Sequence, residues 1–229
     1  MSCIAENIKL IQSKIAAAAF KSGRKSSDVK LIGVTKTIDI KRIQELLSLG
    51  LNCLGENKPQ ELAEKFNIIG AGPEWHLIGH LQTNKVKMVI DKADMIHSVD
   101  SLRLAEEINK RAAGIGKVMD ILVEINIASE PSKYGIAPDE TFEFICLLSG
   151  LRNLRVRGLM CIAPNVDEPE NNRFYFKKMN QILIDIKSKN VHNIDILDLS
   201  MGMTNDYEIA VEEGATMVRI GTGIFGVRT

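Results

Sequence analysis

The sequence predicts a single parallel (β/α)₈ barrel, and three observations carry that prediction. Short apolar runs alternate with amphipathic helical stretches almost to the end of the chain, which is the pattern of a parallel sheet covered by helices. The strand-like runs number eight, the count that closes a barrel. The 229 residues, 45% of them hydrophobic, suffice for one such core and leave little room for a second full domain. An open doubly wound sheet is the alternative. It calls for a glycine-rich phosphate loop after the first strand, and LIGVTKTID, the segment found there, is not one.

A helix comes first. Ile4, Ile8, Ile11 and Ile15 recur at helical spacing over residues 4–21, and Gly23 ends the run. Lying before any strand, it reads as an extra covering helix. The expected strands are residues 30–35, 52–55, 75–79, 95–98, 120–126, 155–161, 196–199 and 217–220. Between them, Asp39 is a cap for a helix with Ile40, Ile43 and Leu47 on one face, and Pro59 suits a first helical turn. Asp100 is placed to cap residues 101–113, and Pro138 to open a helix that stops at Gly150. Tyr175, Met179, Ile182 and Ile186 mark a long helix over 171–189. Thr204 or Asn205 is placed to cap the helix ending at Gly214.

Charge and cysteine content narrow the function classes. Lys+Arg and Asp+Glu both total 29, so no global field draws nucleic acid or an anionic membrane. No 18-residue apolar run or signal-type segment is present. Cys3, Cys53, Cys146 and Cys161 are scattered, with no CxxC pair and no Cys/His group at zinc spacing. They read as reduced structural thiols of a cytoplasmic protein, and no metal site is expected.

Lys36 is the sharpest chemical feature. It follows the apolar run Leu31–Ile32–Gly33–Val34, at the carboxyl end of the first strand, where barrels place their sites. Desolvation there lowers an amine's pKa, and a neutral amine attacks aldehydes to form a Schiff base. A strand-end lysine reaching solvent is the plainer reading. Two glycine-containing turns follow the last two strands: Leu199-Ser200-Met201-Gly202-Met203-Thr204 and Ile220-Gly221-Thr222-Gly223. Loops at those positions frequently hold phosphate, through close backbone approach and N–H groups at a helix start. They are equally readable as ordinary turns in which glycine meets a backbone need. Closure makes the first strand a neighbour of the eighth, so Lys36 and both turns share one rim. A reactive lysine beside a phosphate cradle suits pyridoxal 5'-phosphate (PLP), and equally a sugar-phosphate aldolase or isomerase. Arg219, late in the eighth strand, either faces a pyridine nitrogen or pairs with a core carboxylate such as Glu124. Asn57 follows the second strand and His80 the third, both near the mouth.

LIGVTKT (31–37), GENKPQE (55–61), WHLIGHLQTNK (75–85), HSVDS (97–101), GLMCIAP (158–164) and LSMGMTNDYEIAVEEGATMVRIGTGIFG (199–226) together resemble the YggS/PROSC family of pyridoxal phosphate homeostasis proteins. The resemblance covers nearly the whole chain. It implies the barrel of alanine-racemase-like PLP proteins without their second domain. It also implies Lys36 as the lysine that carries PLP, and Ser200, Met201, Gly202, Gly221 and Thr222 as the phosphate cradle. By the same resemblance Arg219 stands near the pyridine nitrogen and Asn57 close to the ring. Lys58 departs from the family, where an aromatic or aliphatic residue is common. The implied role is intracellular PLP holding and delivery without established turnover. With no second domain expected, a monomer is expected, making transient contact with PLP-dependent apo-enzymes. An amino-acid racemase is the second reading. Two-base racemisation needs a proton donor on each face, and Tyr134, Tyr175 and Tyr207 have no obvious route to the second face.

Overall fold

Residues 4–192 and 194–226 are described by a computed structural model. The strands are β1 (Lys30–Val34), β2 (Cys53–Glu56), β3 (Glu74–Leu77), β4 (Met95–Val99), β5 (Met119–Ile125), β6 (Leu154–Cys161), β7 (Asp198–Ser200) and β8 (Met217–Ile220). They pair in parallel in sequence order and close into a barrel. The closing pair is β1 with β8, in the register Ile32 to Arg219 and Gly33 to Ile220.

The helices are α1 (Ile4–Lys21), α2 (Ile40–Ser48), α3 (Pro59–Ile69), α4 (Leu102–Gly114), α5 (Thr141–Leu148), α6 (Arg173–Ser188), α7 (Tyr207–Glu212) and the short α8 (Thr222–Phe225). A 3₁₀ segment, Thr83–Met88, takes the place of a helix between β3 and β4. The extra helix α1 buries Ile4, Ile8, Ile11 and Ile15 and lies against α7 and α8. The main core lies between strands and helices. A second, smaller apolar cluster of Ile32, Cys53, Met95, Leu122, Met160 and Met217 fills the barrel interior.

Helix starts depart from expectation more than strands do. Asp39 caps α2 as expected, accepting the Arg42 N–H, and Pro59 opens α3. Asp100 does not cap α4; Ser101 precedes that helix without a side-chain cap, and the Asp100 carboxylate faces His80 at 3.4 Å. The fifth helix starts at Thr141 rather than Pro138, and its Thr141 hydroxyl donates back to the Ala137 carbonyl. Asp206, not Thr204 or Asn205, stands before α7, and its carboxylate accepts the Met203 N–H. Each of these polar side chains found a tertiary or turn partner that local sequence does not announce. Cys53 and Cys161 are buried, Cys146 is half-buried and all three are free thiols, whereas Cys3 lies outside the described residues. Among the described residues no helix is long and apolar enough to cross a membrane.

Candidate functional site

A cavity of ≈ 860 Å³ opens at the carboxyl ends of the strands. Lys36 follows β1, Asn57 follows β2, and Thr204, Asn205 and Asp206 follow β7; all line it, as do Arg219 of β8 and Gly221 and Thr222 just beyond it. This is the face on which barrels of this kind carry their chemistry.

Lys36 sits in a tight turn, in which the Ile38 N–H returns to the Thr35 carbonyl. Thr37, the third residue of the turn, has a φ of 62°. A threonine rarely adopts that conformation, so something must hold it there. Glu61 does so, accepting the Thr37 N–H at 2.5 Å. Beneath the turn lies a buried ion cluster. Lys65 Nζ donates to the Thr35 carbonyl at 2.6 Å, to Glu56 at 2.8 Å and to Glu61 at 2.7 Å, and the Thr35 hydroxyl donates to Glu56 at 2.6 Å. Burial pushes the Glu56 carboxyl upward, while Lys65 and Thr35 pull it back. Burial also acts to raise Glu61, but the bonds from Lys65 and the Thr37 N–H prevail and hold it low. The residues on either side of Lys36 are thus anchored to α3 and β2. No local sequence signal marks Lys65 or Glu61 for this role.

Arg219 forms part of the cavity floor and is only 4% exposed. One of its amino groups donates to the Ser200 carbonyl at 2.8 Å and to the Ser200 hydroxyl at 2.6 Å. The other donates to the Cys161 carbonyl at 2.8 Å. Burial lowers its pKa, and the carboxylates of Glu124 and Asp206 work against that. Among the described residues no ion pair joins Arg219 to Glu124, so the guanidinium is held by neutral acceptors.

From Ser200 a buried hydrogen-bond chain runs down through the barrel. The Ser200 hydroxyl lies 3.0 Å from His97 Nδ1, His97 Nε2 lies 2.9 Å from His76 Nδ1, and His76 Nε2 lies 3.3 Å from Glu74. Strands β4 and β7 are not neighbours, so the His97–Ser200 bond crosses the interior. Both ends of the chain fix its polarity. Arginine only donates, so the Ser200 oxygen accepts from it and its proton is directed to His97. The Glu74 carboxylate only accepts, so His76 carries its proton on Nε2. His97 therefore holds its proton on Nε2 and accepts at Nδ1. Burial keeps His97 well below the usual imidazole range, which makes it neutral. The hydrogen bond from His76 holds Glu74 at about 2, with Lys30 adding to the effect.

Ser200, Met201 and Gly202 are not among the residues lining the cavity. Ser200 is taken up by this chain, and Met201 packs into the core outside the strands. Gly202 has a φ of 89°, and a Cβ there would meet the Ala210 Cβ at 2.5 Å. Its glycine is required by the turn and by the approach of α7. The hydroxyl beside Thr222 is instead that of Thr204, 3.1 Å away, and it also accepts the Gly223 N–H. His80 stands to the side, half-buried and stacked on Tyr134 with ring centroids 3.7 Å apart. Sequence reasoning did not name Thr204, Asn205 or Asp206 as site residues. Their neighbourhood was visible in the glycine turn, but which of its side chains faces inward was not.

A family described as "Alanine racemase, N-terminal domain" matches residues 2–229. The pyridoxal phosphate homeostasis protein of Aquifex aeolicus is 40% identical over 224 residues, which cover 97% of each chain. The chain belongs to the pyridoxal phosphate homeostasis protein family. Within that family, PipY of Synechococcus elongatus PCC7942 has been solved with PLP bound. It superposes with a TM-score of 0.85 at 30% identity, over 97% of this chain and all of PipY. The alanine racemase of Clostridium difficile 630 shares the fold, with a TM-score of 0.74 at 18% identity, and this chain spans 57% of its length. Lys58, expected from the resemblance to depart from the family, is exposed, precedes α3 and does not line this cavity.

Glu124 gives this family member a testable pH response. Burial, reinforced by Asp100, pushes its carboxyl up to about 7 from an ordinary 4.5, against the pull of Arg219. Between those values the folded protein binds a proton that the unfolded chain does not. Stability therefore falls as pH rises across that window and stays reduced above it. Glu124→Gln is expected to flatten the fall, raising stability by ~1–3 kcal/mol near pH 8 and changing it little near pH 4. Urea unfolding at both pH values checks this; an equal effect at both would exclude the raised carboxyl.

Proposed function

We propose that the cavity holds PLP covalently on Lys36 and that the protein stores this cofactor and hands it to apo-enzymes through transient contacts, acting as a monomer in the cytoplasm. One observation carries the reading: Lys36 lines the same cavity as Thr204, Thr222 and the buried Arg219. The PLP-bound form of PipY supports it. When bound, PLP supplies an aldehyde that condenses with a primary amine and releases water.

The chain's own residues divide the remaining work. Val34 and Ile78 give the cavity an apolar wall beside Lys36. The Thr222 and Thr204 hydroxyls, with the backbone at Gly221, are suited to a phosphate. Asn57 follows β2 on the same rim and is placed to border a ring. Arg219 can only donate, so a ring nitrogen facing it stays unprotonated and withdraws electrons weakly. That favours holding the cofactor over using it for carbanion chemistry. None of the three tyrosines lines the cavity. Tyr134 is exposed, and burial pushes the Tyr207 hydroxyl up to about 12. This supports a carrier over a two-base racemase.

Thr204→Ala combined with Thr222→Ala is expected to weaken PLP binding by about 100-fold or more, because hydrogen bonds to a charged group are worth ~1.5–3 kcal/mol each and two are lost. Fluorescence titration with PLP reads the change, and an unaltered affinity would remove these hydroxyls from the phosphate site. The carrier reading is tested with a panel of L-amino acids. Accumulation of the D-enantiomer by the wild-type protein, lost in Lys36→Ala, would replace it with the racemase.

A further inference from the structure

The spacing of cysteines and histidines along the chain offers no metal site, yet the fold assembles three ligand types at the opposite end of the barrel. Cys53 Sγ, a carboxylate oxygen of Glu74 and a ring nitrogen of His76 all lie within 4.8 Å of one another. Cys53 and Glu74 are register partners on β2 and β3. His76 lies two residues beyond Glu74, so strand alternation keeps both on one face. Glu74 and His76 also line a separate cavity of ≈ 710 Å³ at the amino ends of the strands, together with Lys30, Met95 and Met217. A cation therefore has an entry that does not pass through the Lys36 cavity.

We propose that Cys53, Glu74 and His76 bind a zinc-class divalent cation, with solvent completing the coordination. Thiolate, imidazole and carboxylate are the ligands zinc takes, and hard cations such as magnesium and calcium decline the first two. Bond lengths of ~2.3 Å to sulfur and ~2.0 Å to nitrogen or oxygen put tetrahedral ligands roughly 3.5 Å apart. Glu74 and His76 already stand 3.3 Å apart, so only the Cys53 thiol has to close, by on the order of one ångström. A second observation points the same way. His76 is already oriented through its other ring nitrogen by the buried His97, at 2.9 Å. Ligating histidines are commonly held by such a partner.

The charges and protons balance. Glu74 now carries Lys30 at 2.6 Å, and the Lys30 side chain is 41% exposed, so it can turn to solvent as the metal enters. Thiolate and carboxylate then neutralise the divalent ion. His76 frees Nε2 by moving its proton to Nδ1, His97 moves its proton from Nε2 to Nδ1, and the Ser200 hydroxyl turns away from His97. Both rings stay neutral, and the proton released is that of the Cys53 thiol. Occupancy at the floor thereby reverses the chain that ends at Arg219.

The test is cobalt titration of the full-length protein after chelation, with and without PLP. Cobalt's own spectrum is the readout, so failure of the PLP reading would not affect it. The expected result is a near-ultraviolet thiolate-to-cobalt band with visible bands of four-coordinate intensity, both erased by zinc. Cys53→Ala loses the near-ultraviolet band, while the other cysteines remain. Glu74→Gln changes an exposed side chain and so should fold, and it weakens cobalt binding about tenfold or more. Absence of the thiolate band at saturating cobalt, its survival in Cys53→Ala or undiminished binding by Glu74→Gln would overturn the proposal.

Discussion

Lys36→Ala is expected to abolish the visible absorbance that PLP should give with the wild-type protein, and borohydride should then fix no cofactor to the chain. The effect is complete rather than graded, because the covalent bond requires the ε-amine and an alanine supplies none. Lys133 also lines the cavity, but its ammonium pairs with Glu130 at 2.6 Å. It is not expected to substitute. The fold should survive. Lys36 is a half-buried residue at the mouth and outside both apolar cores, so its truncation is expected to change stability by less than ~1 kcal/mol. Intact mass after reduction, followed by peptide mapping, decides the matter. An adduct on another residue of the wild-type protein would refute the assignment, and a melting temperature lowered as if by a core deletion would refute the placement.

Lys65→Met carries the largest expected cost in stability. Lys65 is 7% exposed and satisfies Glu56, Glu61 and the Thr35 carbonyl at once. Removing one partner of a buried pair costs ~3–5 kcal/mol, because the remaining charge stays desolvated. In a chain of this length that lowers the melting temperature by on the order of 10 °C. Glu56 is fully buried, and its Oε2 already lacks a hydrogen-bond partner. Without Lys65 it is expected to take up a proton, since burial already raises it. Its folded-state pKa then stands further above the unfolded value, and the penalty grows as pH rises through that interval. Calorimetry near pH 5 and near pH 8 should therefore give a smaller loss at the lower pH. A pH-independent loss would mean that packing, not charge, is what Lys65 supplies. The same variant frees Thr37 from part of its anchorage, so its PLP adduct should form more slowly even where the protein is fully folded.

Barrel, strand order and rim were legible in the sequence because they follow from local pattern. Apolar runs of strand length, amphipathic runs between them and a count of eight leave few alternatives, and closure then places Lys36 beside Arg219 and Thr222. Helix starts were less legible. Asp100 and Asp206 are equally good caps by residue type, but one faces His80 and the other closes a turn ahead of α7. Ser200 and Thr204 were likewise indistinguishable as hydroxyls in one glycine turn. Strand alternation sends the Ser200 hydroxyl to His97 and Arg219, while Thr204, beyond the strand, meets Thr222.

The sequence by itself determined the fold class and the family, and singled out Lys36 as the lysine proposed to carry the cofactor, because periodicity and contiguous motifs are local properties. Tertiary structure alone decided what holds that lysine's turn, which hydroxyl of the glycine turn stands beside Thr222, and that Cys53, Glu74 and His76 meet at the barrel floor. The physical reason is that hydrogen bonds and ion pairs depend on where side chains point across the barrel. The pairings of Lys65 with Thr35 and of His97 with Ser200 join residues 30 and 103 positions apart, a separation no local pattern encodes.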